Sequence, residues 1–299
     1  MYDINFEYYK IFYYVAKYRN ITKAAAALGS NQPNVSRIMK LLESQLNCRL
    51  FVREARGITL TQEGEILYSH VEIAYKQLLN AQEEMFRQGS LKGGTVEVGA
   101  TETAIHLFLL KAICDFKHEY SDIKIKIHNN TTPEIIKNLL SGRLDFAVIT
   151  TPFNAPSNVL CDNILDFNEI LVGGERYKAL STASISQSDF RNLSWIGLGR
   201  GSATYNLYRN FFIEHGLDME PDMEVATSDL LIPLIENNLG VGFVAESLAA
   251  PLVKEGRLTQ INLDCDVPKR SIQIVSDKGR GKSLAADTLY QYLKRGIRK

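Results

Sequence analysis

Apolar residues recur at helical spacing in the first part of the chain and predict three helices. The first helix carries its apolar face at positions three and four residues apart, namely Tyr8, Ile11, Phe12 and Val15. An alanine-rich second helix over residues 21–28 precedes a third, whose inner face is Val35, Ile38 and Leu42. Three helices with apolar faces predict a small module with a core of its own.

A tight turn joins the second and third helices, which predicts a helix-turn-helix. Thr22 is the expected N-cap of the second helix, and Gly29 supplies the left-handed residue that ends it. Asn31 is the expected N-cap of the third helix. Pro33 lies in the first turn of that helix, where a missing N–H is tolerated.

The outward face of the third helix carries hydroxyl and cationic groups and no carboxylate. Turning the helix by about 100° per residue from Val35 brings to that face Pro33, Ser36, Arg37 and Lys40, with Gln32 and Asn34 at the start of the helix. Arginine and serine side chains contact base edges and phosphates in the major groove of DNA. We expect these residues to contact DNA, and the alternative is an ordinary polar surface.

Two short apolar runs, residues 50–53 and 57–60, predict a two-stranded wing after the helices. Its Arg53 and Arg56 are expected to reach the DNA backbone or the minor groove. Residues 1–60 carry 9 Lys and Arg against 4 Asp and Glu, although the whole chain carries 34 of each kind. Counterion release on DNA binding requires such a local cationic excess.

Residues 61–88 predict one long helix with Thr61 as its cap. Apolar residues alternate along it by four and three, as in a coiled-coil seam: Leu67, Val71, Ala74, Leu78, Ala81 and Met85. A seam of this kind predicts a homodimer formed through the helix. The alternative is packing against the protein's own body.

Strands alternate with helices after the glycine-rich hinge of residues 89–94, and this pattern predicts a parallel sheet. A second, similar series begins near Asn163. The predicted fold class is an α/β effector domain of two Rossmann-like, periplasmic-binding-protein-like lobes, preceded by an all-α winged helix-turn-helix domain and a long linker helix. The predicted boundaries are 1–60 for the DNA-binding domain, 61–92 for the linker helix and hinge, and 93–299 for the effector domain, with lobe one at 93–162 and 268–299 and lobe two at 163–267.

Threonines follow three successive predicted strands of lobe one: Thr101 and Thr103, then Thr131 and Thr132, then Thr150 and Thr151. Lobe two contributes Gly199, Ser202, Ser228, Val244 and Ala245 at strand ends. Ligands of α/β lobes bind beyond the carboxyl ends of strands, so these residues predict a cleft for a small polar, anionic effector. Helix capping is the alternative role for each threonine. Glu102 leaves open an effector that bears an amine, and the alternative is a side chain that points outward to solvent.

The motif order AAxxL, NQPNVSRxxxxLE, LFVR and LTQEG resembles the N-terminal domain of the LysR-type transcriptional regulators, and a weaker resemblance continues over nearly the whole chain. Asn31 and Asn34 depart from the residues common in that family, and we expect Asn34 to alter the DNA sequence that is bound. The resemblance implies dimers, often tetramers through the other domain, and effector carboxylates at Thr103 and Thr132. We therefore expect a promoter-binding regulator that responds to a small molecule.

Enzymatic activity is disfavoured by the sequence. The stretch GLGRGSA imitates a dinucleotide-binding loop, but Ser202 replaces the third glycine of the motif, and we expect no catalytic residues and no cofactor. The four cysteines lack metal-type spacing, so we also expect no metal.

Two alternative functions stay open. A redox sensor would use Cys161 and Cys265, which lie near the predicted crossings between the lobes. A solute-binding protein without a DNA function is the other. No signal peptide precedes the first helix, and no apolar run approaches the roughly 20 residues that span a bilayer, so we expect a cytoplasmic protein with no membrane partner.

Overall fold

The chain folds into two compact units, Met1–Gly89 and Ser90–Lys299. This is a computed structural model that describes residues 4–54, 57–86, 93–182, 184–217 and 220–295. In the first unit the order of elements is α1 (Phe6–Tyr18), α2 (Ile21–Ala27), α3 (Gln32–Leu46), β1 (Phe51–Glu54), β2 (Gly57–Leu60) and α4 (Gln62–Phe86). Strands β1 and β2 pair antiparallel and form the predicted wing. The three predicted helices and the long helix are also present.

Asparagine side chains begin all three short helices. Asn31 accepts a hydrogen bond from the backbone N–H of Asn34 at 2.9 Å, as the sequence predicts. The predicted role of Thr22 is wrong, because Asn20 caps α2 by accepting from the backbone N–H of Lys23 at 2.9 Å. The helix therefore starts one residue before Thr22.

The core of the first unit joins α1, α2, α3 and the wing. Phe12, Val15, Val35 and Leu42 are fully buried there. The first half of α4 packs against the same cluster through Val71, which is 9% exposed, and through partly buried neighbours that include Leu67. Helix α4 is thus part of this unit's core at its amino-terminal end.

The second unit begins with β3 (Gly94–Ala100), α5 (Glu102–Ala104), a π-helical turn (Ile105–Leu109), α6 (Leu110–Glu119), β4 (Ile123–Asn129), α7 (Thr132–Leu140), β5 (Phe146–Thr150) and β6 (Val159–Phe167). It continues with β7 (Glu169–Gly173), the 3₁₀ helix Glu175–Thr182, α8 (Gln187–Phe190), β8 (Ile196–Leu198), α9 (Ala203–Glu214), β9 (Met223–Val225), the 3₁₀ turn Ser228–Leu230, α10 (Leu231–Glu236), β10 (Val241–Ala245), α11 (Glu246–Lys254) and β11 (Thr259–Ile261). It ends with β12 (Arg270–Asp277) and α12 (Leu284–Arg295).

These elements form two lobes with the same strand arrangement. Lobe one has a five-stranded sheet in the order β4-β3-β5-β12-β6. Lobe two has the three strands β10-β7-β11 and the pair β8-β9. A parallel bridge between Trp195, just before β8, and Val241, at the start of β10, connects the pair to the three strands. The order in lobe two is therefore β9-β8-β10-β7-β11. In each lobe the edge strand, β6 or β11, leads into a crossing between the lobes, and the strand beside it, β12 or β7, begins after a crossing.

The first three strands of lobe one are parallel, as the sequence predicts, but both sheets also contain antiparallel pairs and are therefore mixed. Strand β3 is parallel to β4 and β5, whereas β12 is antiparallel to β5 and β6.

The predicted boundary between the lobes also shifts. Strand β6 pairs with β12 along its whole length, so residues 163–167 belong to the sheet of lobe one and not to lobe two. Lobe two therefore begins after Phe167.

Candidate functional site

The first candidate site is the outward face of α3. Gln32, Pro33, Arg37 and Lys40 are exposed, as the sequence predicts. Asn34 is half-buried and organises the start of the face. Its amide nitrogen donates to the Ser30 hydroxyl at 3.2 Å, and its amide oxygen accepts from Nη2 of Arg37 at 3.2 Å. Asn34 thus holds the arginine that the sequence assigns to base contacts.

Ser36 does not present its hydroxyl on this face. The residue is half-buried, and its Oγ is inaccessible and has no hydrogen-bond partner among the described residues. In this arrangement the hydroxyl is not available to DNA, and the DNA contact that the sequence predicts for Ser36 stays a prediction.

A carboxylate that the sequence analysis missed connects α3 to the wing. Oε1 of Glu43 accepts from the backbone N–H groups of Leu50 and Phe51 at 2.8 and 3.2 Å. The wing is therefore anchored to the helix that carries the outward face. Arg53 lies in β1, but its side chain is outside the described residues, and so is Arg56.

The predicted seam on α4 divides into two parts. Leu67 and Val71 contact the core of the first unit, which is the alternative named above for them. Ala74, Leu78 and Ala81 are exposed, with Leu78 at 45%, and the side chain of Met85 lies outside the described residues. Only the later part of the seam is open to a partner helix.

The second candidate site is the cleft between the two lobes of the second unit, which contains two adjoining cavities. The larger has a volume of about 340 Å³, and the smaller of about 50 Å³. They share Glu102, Thr103, Leu198, Thr204 and Ser228 in their walls. Oγ1 of Thr103 and Oγ of Ser228 are 3.3 Å apart, so a hydrogen bond crosses from one lobe to the other.

Most of the predicted effector residues meet in the smaller cavity. Its walls include Thr101, Thr103, Thr131, Thr132, Thr150, Ser202 and Ser228, while Val244 and Ala245 line the larger cavity. Gly199 is not among the lining residues of either cavity. Its N–H donates to the carbonyl of Val225 at 3.0 Å, and the N–H of Ser202 donates to the carbonyl of Gly199 at 3.2 Å. Those two backbone N–H groups are therefore engaged within the protein.

The threonines at the starts of α5 and α7 do not cap their helices. Thr101 and Thr131 occupy the N-cap positions, and neither side chain makes a capping hydrogen bond. Oγ1 of Thr101 is buried without a partner among the described residues. Ser202 behaves differently, because its Oγ accepts from the backbone N–H of Tyr205 at 3.0 Å. The capping alternative thus applies to Ser202 and fails for Thr101 and Thr131.

Arg270 and Glu169, which the sequence analysis missed, form a buried ion pair in the wall of the larger cavity. Nη1 of Arg270 lies 2.8 Å from Oε1 of Glu169, and the two side chains are 2% and 5% exposed. The Tyr208 hydroxyl donates to the other carboxylate oxygen. Burial first, and then the charge of Glu169, raise the pKa of Tyr208 well above its ordinary value, so the hydroxyl keeps its proton.

The guanidinium of Arg270 reaches both lobes. Nε donates to the carbonyl of Thr151 at 2.7 Å, and Nη2 donates to the hydroxyls of Thr150 and Thr204 at 2.9 and 3.1 Å. Thr150 is thereby engaged by the protein itself. A charged residue at the start of a strand gave no local signal of this network, because its partners come from distant parts of the chain.

Other expectations concern cysteines and metals. Cys161 lies in β6 of lobe one, whereas Cys265 packs against the core of lobe two. Partial burial and the neighbouring Asp162 carboxylate raise the pKa of the Cys161 thiol, which disfavours its reactive thiolate.

Within the described ranges no three His, Cys, Asp or Glu side chains are grouped in a way that would hold a metal ion. Nor does any helix described there have the length and apolarity to cross a membrane.

A winged helix-turn-helix unit joined to a two-lobed α/β domain with a central cleft defines a class of effector-responsive DNA-binding regulators. Residues 6–65 match the family "Bacterial regulatory helix-turn-helix protein, lysR family", and residues 89–298 match "LysR substrate binding domain". The chain belongs to the LysR family of transcriptional regulators. A helix-turn-helix unit is at odds with a solute-binding protein that lacks a DNA function.

Curated relatives are similar over most of the chain. A probable RuBisCO transcriptional regulator of Cyanophora paradoxa is 26% identical over 280 residues, which cover 91% of this chain and 86% of that protein. The HTH-type transcriptional regulator GltR of Bacillus subtilis (strain 168) is 26% identical over 255 residues, which cover 85% and 84%. The crystal structure of CbnR, a LysR family regulator, matches with a TM-score of 0.70 at 17% identity, over 99% of this chain and 100% of that one. The relatives are regulators, and the structural match supports the fold.

Proposed function

We propose that this chain binds promoter DNA through α3 and the wing, and that a small molecule bound between the two lobes changes how it does so. The DNA contacts would come from Gln32, Pro33, Asn34, Arg37 and Lys40, with Arg53 and Arg56 on the wing. A protein with this role acts on the chromosome, so we place it in the cytoplasm.

The observation that carries the effector site is the set of threonines without partners at the cleft. Oγ1 of Thr101 is buried without a partner among the described residues, and Thr132, which is 5% exposed, lines the same smaller cavity. Thr101 and Thr131 make no caps, as described above. A buried hydroxyl without a partner costs free energy unless something supplies the missing hydrogen bond. An anionic group of the effector, such as a carboxylate, is a suitable acceptor for these hydroxyls.

The oligomer is part of the same proposal. The exposed stretch of α4 from Ala74 through Leu78 to Ala81 presents small and apolar side chains at coiled-coil spacing. We propose a homodimer through this stretch. A homotetramer through the second unit rests on the family resemblance. Two DNA-binding units in one dimer would bind two half-sites.

Selection of bound sequences from a pool of randomised duplexes tests the DNA function. The full-length protein should enrich a motif with two half-sites. A protein that carries Arg37→Ala and Lys40→Ala should enrich that motif weakly or not at all, while Lys17→Ala, at an exposed position of α1, serves as the control. Equal enrichment by the double variant and the wild type would contradict the proposed DNA-binding face.

A further inference from the structure

The larger cavity has two chemically different sides. Its lobe-two side is apolar and is formed by Leu198, Leu231, Ile232, Phe243, Val244 and Leu248. Its opposite side and rim carry Glu102, His106 and Asp229. The volume of about 340 Å³ lies near the lower end of the range for small-molecule sites, roughly 300–1,000 Å³. The ligand that fits is small and has one apolar part and one polar part.

The polar side has an excess of negative charge. Arg270 is the sole Lys or Arg among the described residues that line the two cavities, and its charge is compensated by Glu169. Four of the five N–H donors of its guanidinium are engaged within the protein. Arg270 therefore has little capacity left to bind a ligand carboxylate. The carboxylates of Glu102 and Asp229 remain to set the charge of the cavity.

These two carboxylates face the same space from different lobes. Asp229 is exposed to the cavity in the 3₁₀ turn Ser228–Leu230 and forms no ion pair with any described residue. The Glu102 side chain is 17% exposed and accepts hydrogen bonds from His106, at 2.9 Å, and from Asn129. Neither carboxylate has a lysine or arginine partner in the described part of the chain. A cation between them would be favoured by both charges.

Glu102 also fixes where that cation would lie relative to an anion. It lines both the larger cavity and the smaller, threonine-lined cavity, so it stands at their junction. The hydroxyl of Thr101 is buried without a partner among the described residues, and Thr132, which is 5% exposed, lines the same smaller cavity. A carboxylate at those threonines and an ammonium at Glu102 would therefore be adjacent groups of one molecule. The apolar part of that molecule would extend into lobe two.

We propose that the effector is an α-amino acid with an uncharged, apolar side chain, or a close analogue. Its carboxylate binds the threonine hydroxyls, its ammonium lies between Glu102 and Asp229, and its side chain contacts the apolar wall of lobe two. This inference rests on the proposed function, because it specifies the ligand of the same cleft. The sequence analysis predicts an anionic effector, and this proposal adds an ammonium group, so that the effector is a zwitterion.

The test uses the full-length protein and a matched set of compounds. The set consists of leucine, isoleucine, valine, methionine and phenylalanine, the carboxylic acids that lack their amino group, and the amines that lack their carboxylate. Thermal denaturation finds any amino acid that raises the melting temperature, and calorimetry gives its dissociation constant. At least one amino acid should bind. Its deaminated acid should bind at least about tenfold more weakly, as expected for loss of a charge-assisted hydrogen bond.

Variants then locate the amine. Asp229→Asn and Glu102→Gln should each weaken binding of the amino acid about tenfold or more, and neither should weaken binding of the deaminated acid, which has no ammonium for these carboxylates to contact. Asp122→Asn, an exposed carboxylate in the loop before β4, is the control and should bind like wild type. Because the comparison between compounds needs no variant, it remains decisive if a variant folds poorly.

Two outcomes overturn the proposal. One is that no amino acid of the set raises the melting temperature, and the other is that a deaminated acid binds as tightly as its amino acid. A deaminated acid that binds as tightly as its amino acid, equally to wild type and Asp229→Asn but weakly to Thr132→Val, would contradict the proposal that the effector carries an ammonium. That result would still support the cleft as the effector site. A ligand whose affinity is unaffected by Thr132→Val and Thr103→Val would contradict the cleft itself.

Discussion

Arg270 and Glu169 form an ion pair at 2.8 Å inside the effector domain, where both side chains are almost fully buried. Arg270 is the first residue of β12 in lobe one, and Glu169 is the first residue of β7 in lobe two. Both strands begin where the chain crosses between the lobes. The pair therefore links the two crossings, and its hydrogen bonds to Thr150 and Thr204 extend that link into each lobe.

Removing one member of this pair should destabilise the effector domain strongly. Arg270→Met would leave the Glu169 carboxylate buried and uncompensated, which costs about 3–5 kcal/mol of unfolding free energy. The double variant with Glu169→Leu should lose less than the single variant, since no buried charge remains. Trp195, the single tryptophan, is 2% exposed within lobe two, so its fluorescence during urea denaturation reports this unit.

Arg257→Met is the matched control for that experiment. Arg257 pairs with Glu236 at 2.7 Å, but the Arg257 side chain is 55% exposed. An exposed pair contributes about 0–1 kcal/mol. If Arg257→Met and Arg270→Met lowered the free energy of unfolding by similar amounts, burial of the Arg270–Glu169 pair would make no difference to its contribution.

Arg37→Ala and Ser36→Ala should affect DNA binding very differently, although the two residues are neighbours in the sequence. Arg37→Ala should weaken binding to the selected operator by about 1–3 kcal/mol if the arginine contacts a base. Ser36→Ala removes a buried hydroxyl without a described partner, so operator affinity should stay within about twofold and stability should not fall. Fluorescence anisotropy with a labelled duplex measures both. A large loss of affinity in Ser36→Ala would mean that α3 rotates its hydroxyl outward on DNA.

Gly64→Ala should destabilise the first unit. A Cβ at this position would lie 2.2 Å from the backbone carbonyl oxygen of Leu50, and a backbone atom cannot move away as a flexible side chain would. Forcing an extra methyl group into a packed site costs about 1–3 kcal/mol. Far-UV circular dichroism during heating measures the change, with exposed Gln62→Ala in the same helical turn as the control. Equal melting of the two variants would contradict the close contact between α4 and Leu50.

Two substitutions on α4 should separate dimerisation from folding. Leu78→Asp, at a position that is 45% exposed, should leave the first unit folded and produce monomers, because the charge would enter the proposed seam. Val71→Asp should unfold the unit, because Val71 is packed in its core. Sedimentation measures the oligomer and circular dichroism the fold. An intact dimer in folded Leu78→Asp would place the dimer interface elsewhere.

The sequence predicted the features that local signals specify. Asparagine and glycine at helix ends, proline in the first turn of α3 and apolar spacing located the helix-turn-helix, because each acts within a few residues. The threonines were located by the rule that ligands bind beyond strand ends, and the structure brings five of the six into the walls of one cavity.

Features that depend on distant contacts were missed. Nothing near Arg270 signals that it meets Glu169, which is 101 residues away in the chain. The burial of the Ser36 hydroxyl depends on how α3 packs, and a rotation of a fraction of a turn decides it. Among the described strands β6 pairs with β12 alone, more than a hundred residues later in the chain, so its membership of lobe one could not be judged from its own pattern.

The coupling between the cleft and DNA is tested by the dissociation constant of one ligand, measured by calorimetry with and without saturating operator duplex. A compound that raises the melting temperature should bind with an affinity that differs about 5–150-fold between the two conditions, because coupling between sites is reciprocal. In Thr132→Val, ligand affinity should fall in both conditions, while operator affinity without ligand stays at the wild-type value. An identical ligand dissociation constant with and without the duplex would contradict an effector that regulates DNA binding from this cleft.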